Sequence, residues 1–189
     1  MTDQEIIQLC KQGDRDAFNI LVETYQKQVF NIAYNMLSDY DDASDAAQEV
    51  FIKVYRSITS FKEQSAFSTW LYRICSNVCK DILRKRQRRG VSVSLDNDSD
   101  SAEHIGELPS QQPTPEEHIV MNERQQAVRE AIDSLSSEYR EIIIYSDIHR
   151  LSYDEIAKIL KCPCGTVKSR LNRARNALRK KLSAKKELF

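Results

Sequence analysis

Leu151-Ser-Tyr-Asp-Glu-Ile-Ala-Lys-Ile-Leu-Lys-Cys-Pro-Cys-Gly-Thr-Val-Lys-Ser-Arg-Leu-Asn-Arg-Ala-Arg-Asn-Ala-Leu-Arg-Lys180 reads as two short helices joined by a tight break. Ser152 and Glu155 have the spacing of a reciprocal capping box, and Ile156, Ile159 and Leu160 give the first helix its apolar side. Pro163 is expected to stop that helix, because the residue before a proline is pushed out of the helical region. The chain restarts at Gly165-Thr166, and Val167, Leu171, Ala174 and Leu178 recur at spacings of four, three and four. Ser169, Asn172, Arg173 and Asn176 then fall on the opposite side. A short supporting helix followed by one that turns Arg, Asn and Ser outward is the arrangement of a helix-turn-helix reading a major groove. The stretch predicts DNA binding.

Charge is distributed to match, although the formal net charge of zero hides it. Residues 1–90 hold 13 Lys and Arg against 12 Asp and Glu, residues 91–120 hold none against seven, and residues 121–189 hold 15 against nine. From Ile156 to Lys186 there are 11 basic residues and no acidic one, and Lys80 to Arg89 carries six positives against Asp81 alone. A single basic run is most often a solvated helix face. Two runs, one of them on a groove-reading motif, favour contact with phosphates.

The length of 189 residues suits two small domains. There is no apolar stretch long enough for a membrane span and no charged-then-apolar leader. The five cysteines (Cys10, Cys75, Cys79, Cys162, Cys164) lack the spacing of a secreted disulfide framework, so a reducing cytoplasm is expected. Residues 90–120 divide the chain. They are acidic and Ser-rich and carry three of the four prolines, a composition expected to stay extended or flexible. Residues 1–89 and 121–189 then form the domains.

Apolar periodicity predicts only helices. The first covers about 3–11. The second, over 14–37, puts Phe18, Leu21, Val22, Tyr25, Val29, Ile32, Ala33 and Met36 on one stripe. A third starts near Asp41 with Ala46, Ala47, Val50, Phe51, Val54, Tyr55 and Ile58 inward, and a fourth after Ser65 with Phe67, Trp70, Leu71, Ile74, Val78 and Ile82 inward. Two more, over 123–135 and 137–149, precede the helix-turn-helix. No stretch alternates with period two, so the fold class is all-α, a helical bundle joined to a compact four-helix unit.

Three features of the first domain ask for more than packing. Asp39, Asp41, Asp42, Asp45 and Glu49, with Gln48 beside them, give the third helix a carboxylate-rich face. Acids suit a first helical turn, but five in 11 residues suggest docking onto a basic protein surface. The fourth helix has Asn77, Lys80, Asp81, Arg84 and Lys85 outward, suited to a phosphate backbone. The loop Ser60-Phe61-Lys62-Glu63-Gln64-Ser65-Ala66-Phe67 offers aromatic, basic and amide groups for an unpaired base, while Phe67 and Trp70 fit a core better.

Asp45-Ala-Ala-Gln-Glu-Val-Phe-Ile-Lys-Val-Tyr55, Phe67-Ser-Thr-Trp-Leu-Tyr-Arg-Ile74, Leu151-Ser-Tyr-Asp-Glu-Ile-Ala157 and Gly165-Thr-Val-Lys-Ser-Arg-Leu171 together resemble the extracytoplasmic-function (group IV) sigma factors of bacterial RNA polymerase. The resemblance covers nearly the whole chain except the linker, in the family's order. It implies a sigma-2 module in the first domain, with Asp45, Gln48 and Glu49 matching the patch that grips the β′ clamp helices of the polymerase core. It implies that Phe61, Lys62, Asn77, Lys80, Asp81 and Arg84 lie where the family captures and melts the −10 element. It implies a sigma-4 module in the second domain, with Lys168, Ser169, Asn172 and Arg173 reading the −35 element. The implied partners are the polymerase core through its β′ and β subunits, promoter DNA, and a cognate anti-sigma factor, often membrane-bound, that would hold the protein at the inner face of the membrane. The implied role is promoter selection in a stress or envelope response.

Neither an enzyme nor a cofactor is expected. His104, His118 and His149 are scattered, and no catalytic triad or glycine-rich phosphate loop is present. Cys162-x-Cys164 and Cys75-x-x-x-Cys79 match no usual zinc pattern, so no metal and no small-molecule substrate are expected. The alternative from another class is a dimeric helix-turn-helix regulator whose first domain senses a signal. Such a sensor would show an apolar pocket or a coiled-coil seam where this chain shows an acidic face and a basic helix.

Overall fold

A computed structural model of the protein describes residues 2–89 and 115–183, and among these there are helices and no strand. The first unit comprises α1 (Asp3–Lys11), α2 (Arg15–Leu37), α3 (Tyr40–Ser57), a single 3₁₀ turn over Ile58–Ser60, and α4 (Phe67–Arg89). The second comprises α5 (Pro115–Asp133), α6 (Ser137–Ile143) running directly into a π turn over Ile144–Ile148, α7 (Tyr153–Leu160) and α8 (Cys164–Ser183). The start of α5 falls within the stretch read as linker. Proline suits a first helical position, where its missing N–H goes unneeded. The rest of that linker lies outside the described residues. No helix among the described residues is long and apolar enough to cross a membrane.

Local sequence sets the helix ends. Thr2 and Glu5 close a capping box on α1, Asp14 accepts from the amides of Asp16 and Ala17, and Asp39 accepts from Asp42. The Ser152–Glu155 capping box starts α7 as the spacing predicts. Two hydrogen bonds from Ser152, one from its hydroxyl and one from its backbone N–H, hold the Glu155 carboxyl below its usual range. Pro163 does not end α7. Lys161 does, by adopting the left-handed conformation at φ 52°, while the carbonyl of Pro163 accepts from the amides of Thr166 and Val167 and so opens α8.

The first unit packs α2 against α1, α3 and α4. Ala43, Ala46, Val50 and Val54 bury one face of α3, and Phe61, Phe67 and Trp70 form an aromatic cluster with ring centroids 5.1–5.7 Å apart. In the second unit Val167, Leu171 and Ala174 seat α8 on α6 and α7.

The two units also pack on each other, which the periodicity of either half does not reveal. Buried side chains of both belong to one continuous core. Around it runs a set of polar contacts. Ser76 on α4 donates to Glu141 on α6, and Lys80 lies 2.8 Å from the other oxygen of that carboxylate, which is only 1% exposed. The hydroxyl of the buried Tyr145 donates to the Tyr72 carbonyl at 3.2 Å. Arg140 donates to the Met36 carbonyl, Ser38 donates to Asp133, and the Arg129 guanidinium lies 5.4 Å from the Tyr34 ring centroid.

Candidate nucleic-acid interface

The outward face of α8 is built by the same periodicity that buries its inner one. Val167, Leu171 and Ala174 are at most 2% exposed, which turns Lys168, Ser169, Asn172 and Arg173 to solvent. These four lie within two helical turns. Among the described residues neither Lys168 nor Arg173 is in a salt bridge, so both cations keep their hydrogen-bonding capacity for an outside acceptor. Their basic neighbours differ. Arg170 faces Glu138 at 3.8 Å, and Arg175 grips Asp147 through Nε at 3.1 Å and Nη2 at 2.5 Å. Those two arginines fix α8 to the rest of its unit. The start of α8 is tied to α7 by the Cys164 thiol, which donates to the Asp154 carboxylate at 2.8 Å and is held above its usual pKa by that bond.

On α4 the structure brings Asn77, Asp81 and Arg84 to one exposed face, spaced by four and three residues, with Arg84 on Asp81 at 3.1 Å. Lys62 is exposed on the preceding loop. Lys80 is half-buried against Glu141. Phe61 sits apart from these groups, 5% exposed in the aromatic cluster, with Lys11 Nζ 5.6 Å from its ring centroid. In this arrangement the ring is core. The outward groups of the loop are Lys62, Glu63 and Gln64.

On α3 Asp45, Gln48 and Glu49 are all exposed, with Glu49 3.4 Å from Lys53. Two of the five clustered carboxylates serve the fold instead. Asp39 caps α3, and Asp42 pairs with Arg86 of α4, which also donates to the Leu37 carbonyl. Ile52 and Tyr55 extend the acidic face at 44% and 50% exposure, although periodicity assigns Tyr55 to the inward stripe. Tyr55 leans edge-on against Phe18, with centroids 5.0 Å apart, and covers the rim rather than the centre of the core. An apolar pair beside carboxylates on an open helix face is the composition of a protein-docking surface.

Sequence reasoning misses Glu141. It stands immediately before Ile142-Ile143-Ile144, and an acid adjoining a fully buried apolar run is the available signal that it must find partners in the interior.

A bipartite helical protein, with a helix-turn-helix in one unit and a basic helix beside an acidic docking face in the other, has the features of a transcription-initiation factor. The Sigma-70 region 2 family matches residues 21–89 and Sigma-70, region 4 matches residues 125–178. The chain is 39% identical over 183 residues to the ECF RNA polymerase sigma-E factor of Escherichia coli strain K12, covering 96% of this chain and 95% of that one. It is 37% identical over 182 residues to the Haemophilus influenzae ECF RNA polymerase sigma-E factor, with 96% of each covered. The structure of the sigma factor RpoE from Bartonella quintana, solved with the anti-sigma factor NepR, superposes with a TM-score of 0.68 at 28% identity, covering 88% of this chain and 96% of that one. The chain belongs to the sigma-70 family of RNA polymerase sigma factors, in its ECF branch. It is accordingly a non-enzymatic initiation factor that acts on promoters.

Proposed function

We propose that this sigma factor selects promoters through three separate surfaces. The exposed carboxylates Asp45 and Glu49, with Gln48, Ile52 and Tyr55, dock the first unit on the β′ clamp helices of core polymerase. Asn77, Lys80, Asp81, Arg84 and Lys62 engage the opened −10 strand. Lys168, Ser169, Asn172 and Arg173 read the −35 element in the major groove. Residues 1–89 serve as the core-docking and −10 domain and 121–189 as the −35 domain, with the acidic segment between them. An anti-sigma factor restrains the protein until an envelope or stress signal arrives, as NepR is bound to its sigma factor in the related complex. The protein works in the cytoplasm, where polymerase and chromosome are.

The observation that carries this reading is the α8 face: two cations without salt bridges among the described residues, plus Ser169 and Asn172, aligned opposite a buried stripe and carried on a helix anchored by two further arginines. Run-off transcription from a genomic promoter library, with purified protein added to core polymerase, tests it. Defined start sites sharing −10 and −35 sequences are expected. Tight binding to a palindrome by the isolated protein as a dimer, with no transcripts from core, would sink it in favour of an operator-binding regulator.

A further inference from the structure

Glu63 stands on the loop between the 3₁₀ turn and α4 with its backbone in the left-handed region, at φ 56°. A residue with a β-carbon keeps that conformation only where its surroundings impose it. Ser38 and Lys161 share it because each closes a helix, α2 and α7, and donates its amide into the last turn. Glu63 closes no helix. Its anchor is α1: Gln8 Nε2 donates to Glu63 Oε1 at 2.7 Å, and Lys11 Nζ donates to the same oxygen at 2.5 Å. Gln8 and Lys11 are three residues apart and so share one side of α1. Lys11 Nζ also lies 5.6 Å from the centroid of the Phe61 ring, which is packed against Phe67 and Trp70. One lysine of α1 therefore holds the residues on both sides of Lys62.

A partly exposed ion pair of this kind contributes little to global stability. What it sets is local. With Phe61 in the core and Glu63 tied to α1, the exposed Lys62 between them has little freedom of direction, and the exposed Gln64 follows from the same turn. The pair also draws a carboxylate towards α1 and neutralises it, beside a lysine suited to phosphate. We propose that Gln8, Lys11 and Glu63 are positioning residues for −10 recognition: α1 holds the loop in the conformation that presents Lys62 and Gln64 to the unpaired strand. The inference rests on the assignment of Lys62 to the −10 strand made above. A loop ordered beforehand loses less conformational freedom on binding, so the three residues raise affinity without touching the strand.

The test uses the full chain for hydrogen exchange of the loop amides 61–66. The same chain assembled with core polymerase is then used for anisotropy of single-stranded oligonucleotides carrying the −10 sequence of a promoter it transcribes, matched or altered at one base. Lys11→Met should speed exchange in the loop and leave the helices unchanged. It should weaken matched binding roughly tenfold, the loss expected when the competent loop falls to about a tenth of the population, and narrow the gap to altered sequences. Lys11→Arg, which keeps the bridge, should behave as the wild type. Glu63→Ala should lose as much as Lys11→Met, and Glu63→Gly less, because glycine adopts the left-handed conformation without steric cost. Unchanged loop exchange in Lys11→Met overturns the clamp. Tighter binding by Glu63→Ala than by the wild type overturns the positioning role and makes the carboxylate a repulsive group only. Faster exchange with unaltered binding, where Lys62→Ala does weaken binding, overturns positioning as well. If Lys62→Ala also changes nothing, the −10 assignment of the loop is what fails, and faster exchange leaves the α1 contact as a purely structural one.

Discussion

Arg140 donates through Nη1 to the main-chain carbonyl of Met36 at 2.8 Å, so a side chain of the second unit caps the last turn of α2 in the first. Helix C-terminal carbonyls lack partners within the helix, and a cation there also opposes the macrodipole. Arg86 performs the same service one residue on, at Leu37, from within the first unit. The end of α2 is thus capped from both halves of the chain.

That double capping predicts shared unfolding. The wild type should melt in a single cooperative transition, whereas Arg140→Met should lower the midpoint and separate the two units into distinct steps. Replacing the guanidinium removes a hydrogen bond from a charged donor, worth about 1.5–3 kcal/mol in a part-buried setting. Calorimetry checks this, and an unchanged single transition in the variant would count against coupling through Arg140.

Docking on core polymerase should depend on the α3 face. Changing Asp45 and Glu49 together to Lys is expected to weaken co-purification with core while leaving helix content intact, since exposed charges contribute little to folding. The single exposed pair lost, Glu49 with Lys53, is a minor term. Full retention of core binding would move the docking surface elsewhere.

Promoter reading should separate two arginines of α8. Arg173→Ala should lose ~1–3 kcal/mol and relax preference at one base position, as expected for a bidentate base contact. Arg179→Ala, further along the exposed side, should weaken binding to all sequences alike through a lost phosphate contact. Binding measured across a −35 sequence library distinguishes them. Equal losses on every sequence would make Arg173 a positioning contact only.

Mild acid should loosen the second unit through His149. Its ring is about half-buried, Nε2 has no hydrogen-bond partner, and burial lowers its pKa from the ordinary 6.5. A histidine with a depressed folded pKa stabilises the fold above its unfolded value, and that contribution is lost as pH falls below 6.5 and through the folded value. Thermal midpoints should therefore drop between neutral pH and mild acid, and His149→Gln should flatten that slope. The Glu155 carboxyl, held below its ordinary 4.5, acts in the same direction in a separate and more acidic window.

Duplex promoter DNA should bind only weakly to the free chain and remain closed. Exposing a base for capture costs a few kcal/mol of unstacking and unpairing, which an isolated helix face does not supply. With core polymerase present, permanganate reactivity of −10 thymines should appear. Opening by the isolated protein would remove the need for core in that step.

Much of this organisation was legible in the chain. Apolar periodicity places α1 to α4 and α6 to α8 within a few residues, because each helix buries one stripe, and the Ser152–Glu155 spacing locates the start of α7. The −35 face follows directly, since Lys168, Ser169, Asn172 and Arg173 are simply what remains after Val167, Leu171 and Ala174 are assigned inward. Tyr55 and Phe61 are harder. Whether an aromatic at helical spacing is rim or core depends on its neighbours in space, here Phe18 for one and Phe67 with Trp70 for the other. Glu141 and Lys80 are harder still. Their partnership joins residues 61 positions apart across two units, and a pattern read along one helix at a time carries no information about which helix of another unit it meets.

The ion pairs that anchor α8 have a further consequence, for the response to salt. A basic residue already paired with a carboxylate of its own protein neutralises little phosphate charge on the DNA it approaches, so it displaces few of the cations condensed there. Of the 11 positives between Ile156 and Lys186, Arg170 and Arg175 are committed in this way to Glu138 and Asp147. Each phosphate contact adds about 0.9 to the slope of log affinity against log salt concentration on duplex DNA. The raw count of positive charge therefore overstates the ionic-strength sensitivity of the −35 complex, and replacing Glu138 and Asp147 with neutral residues would make that complex more sensitive to salt.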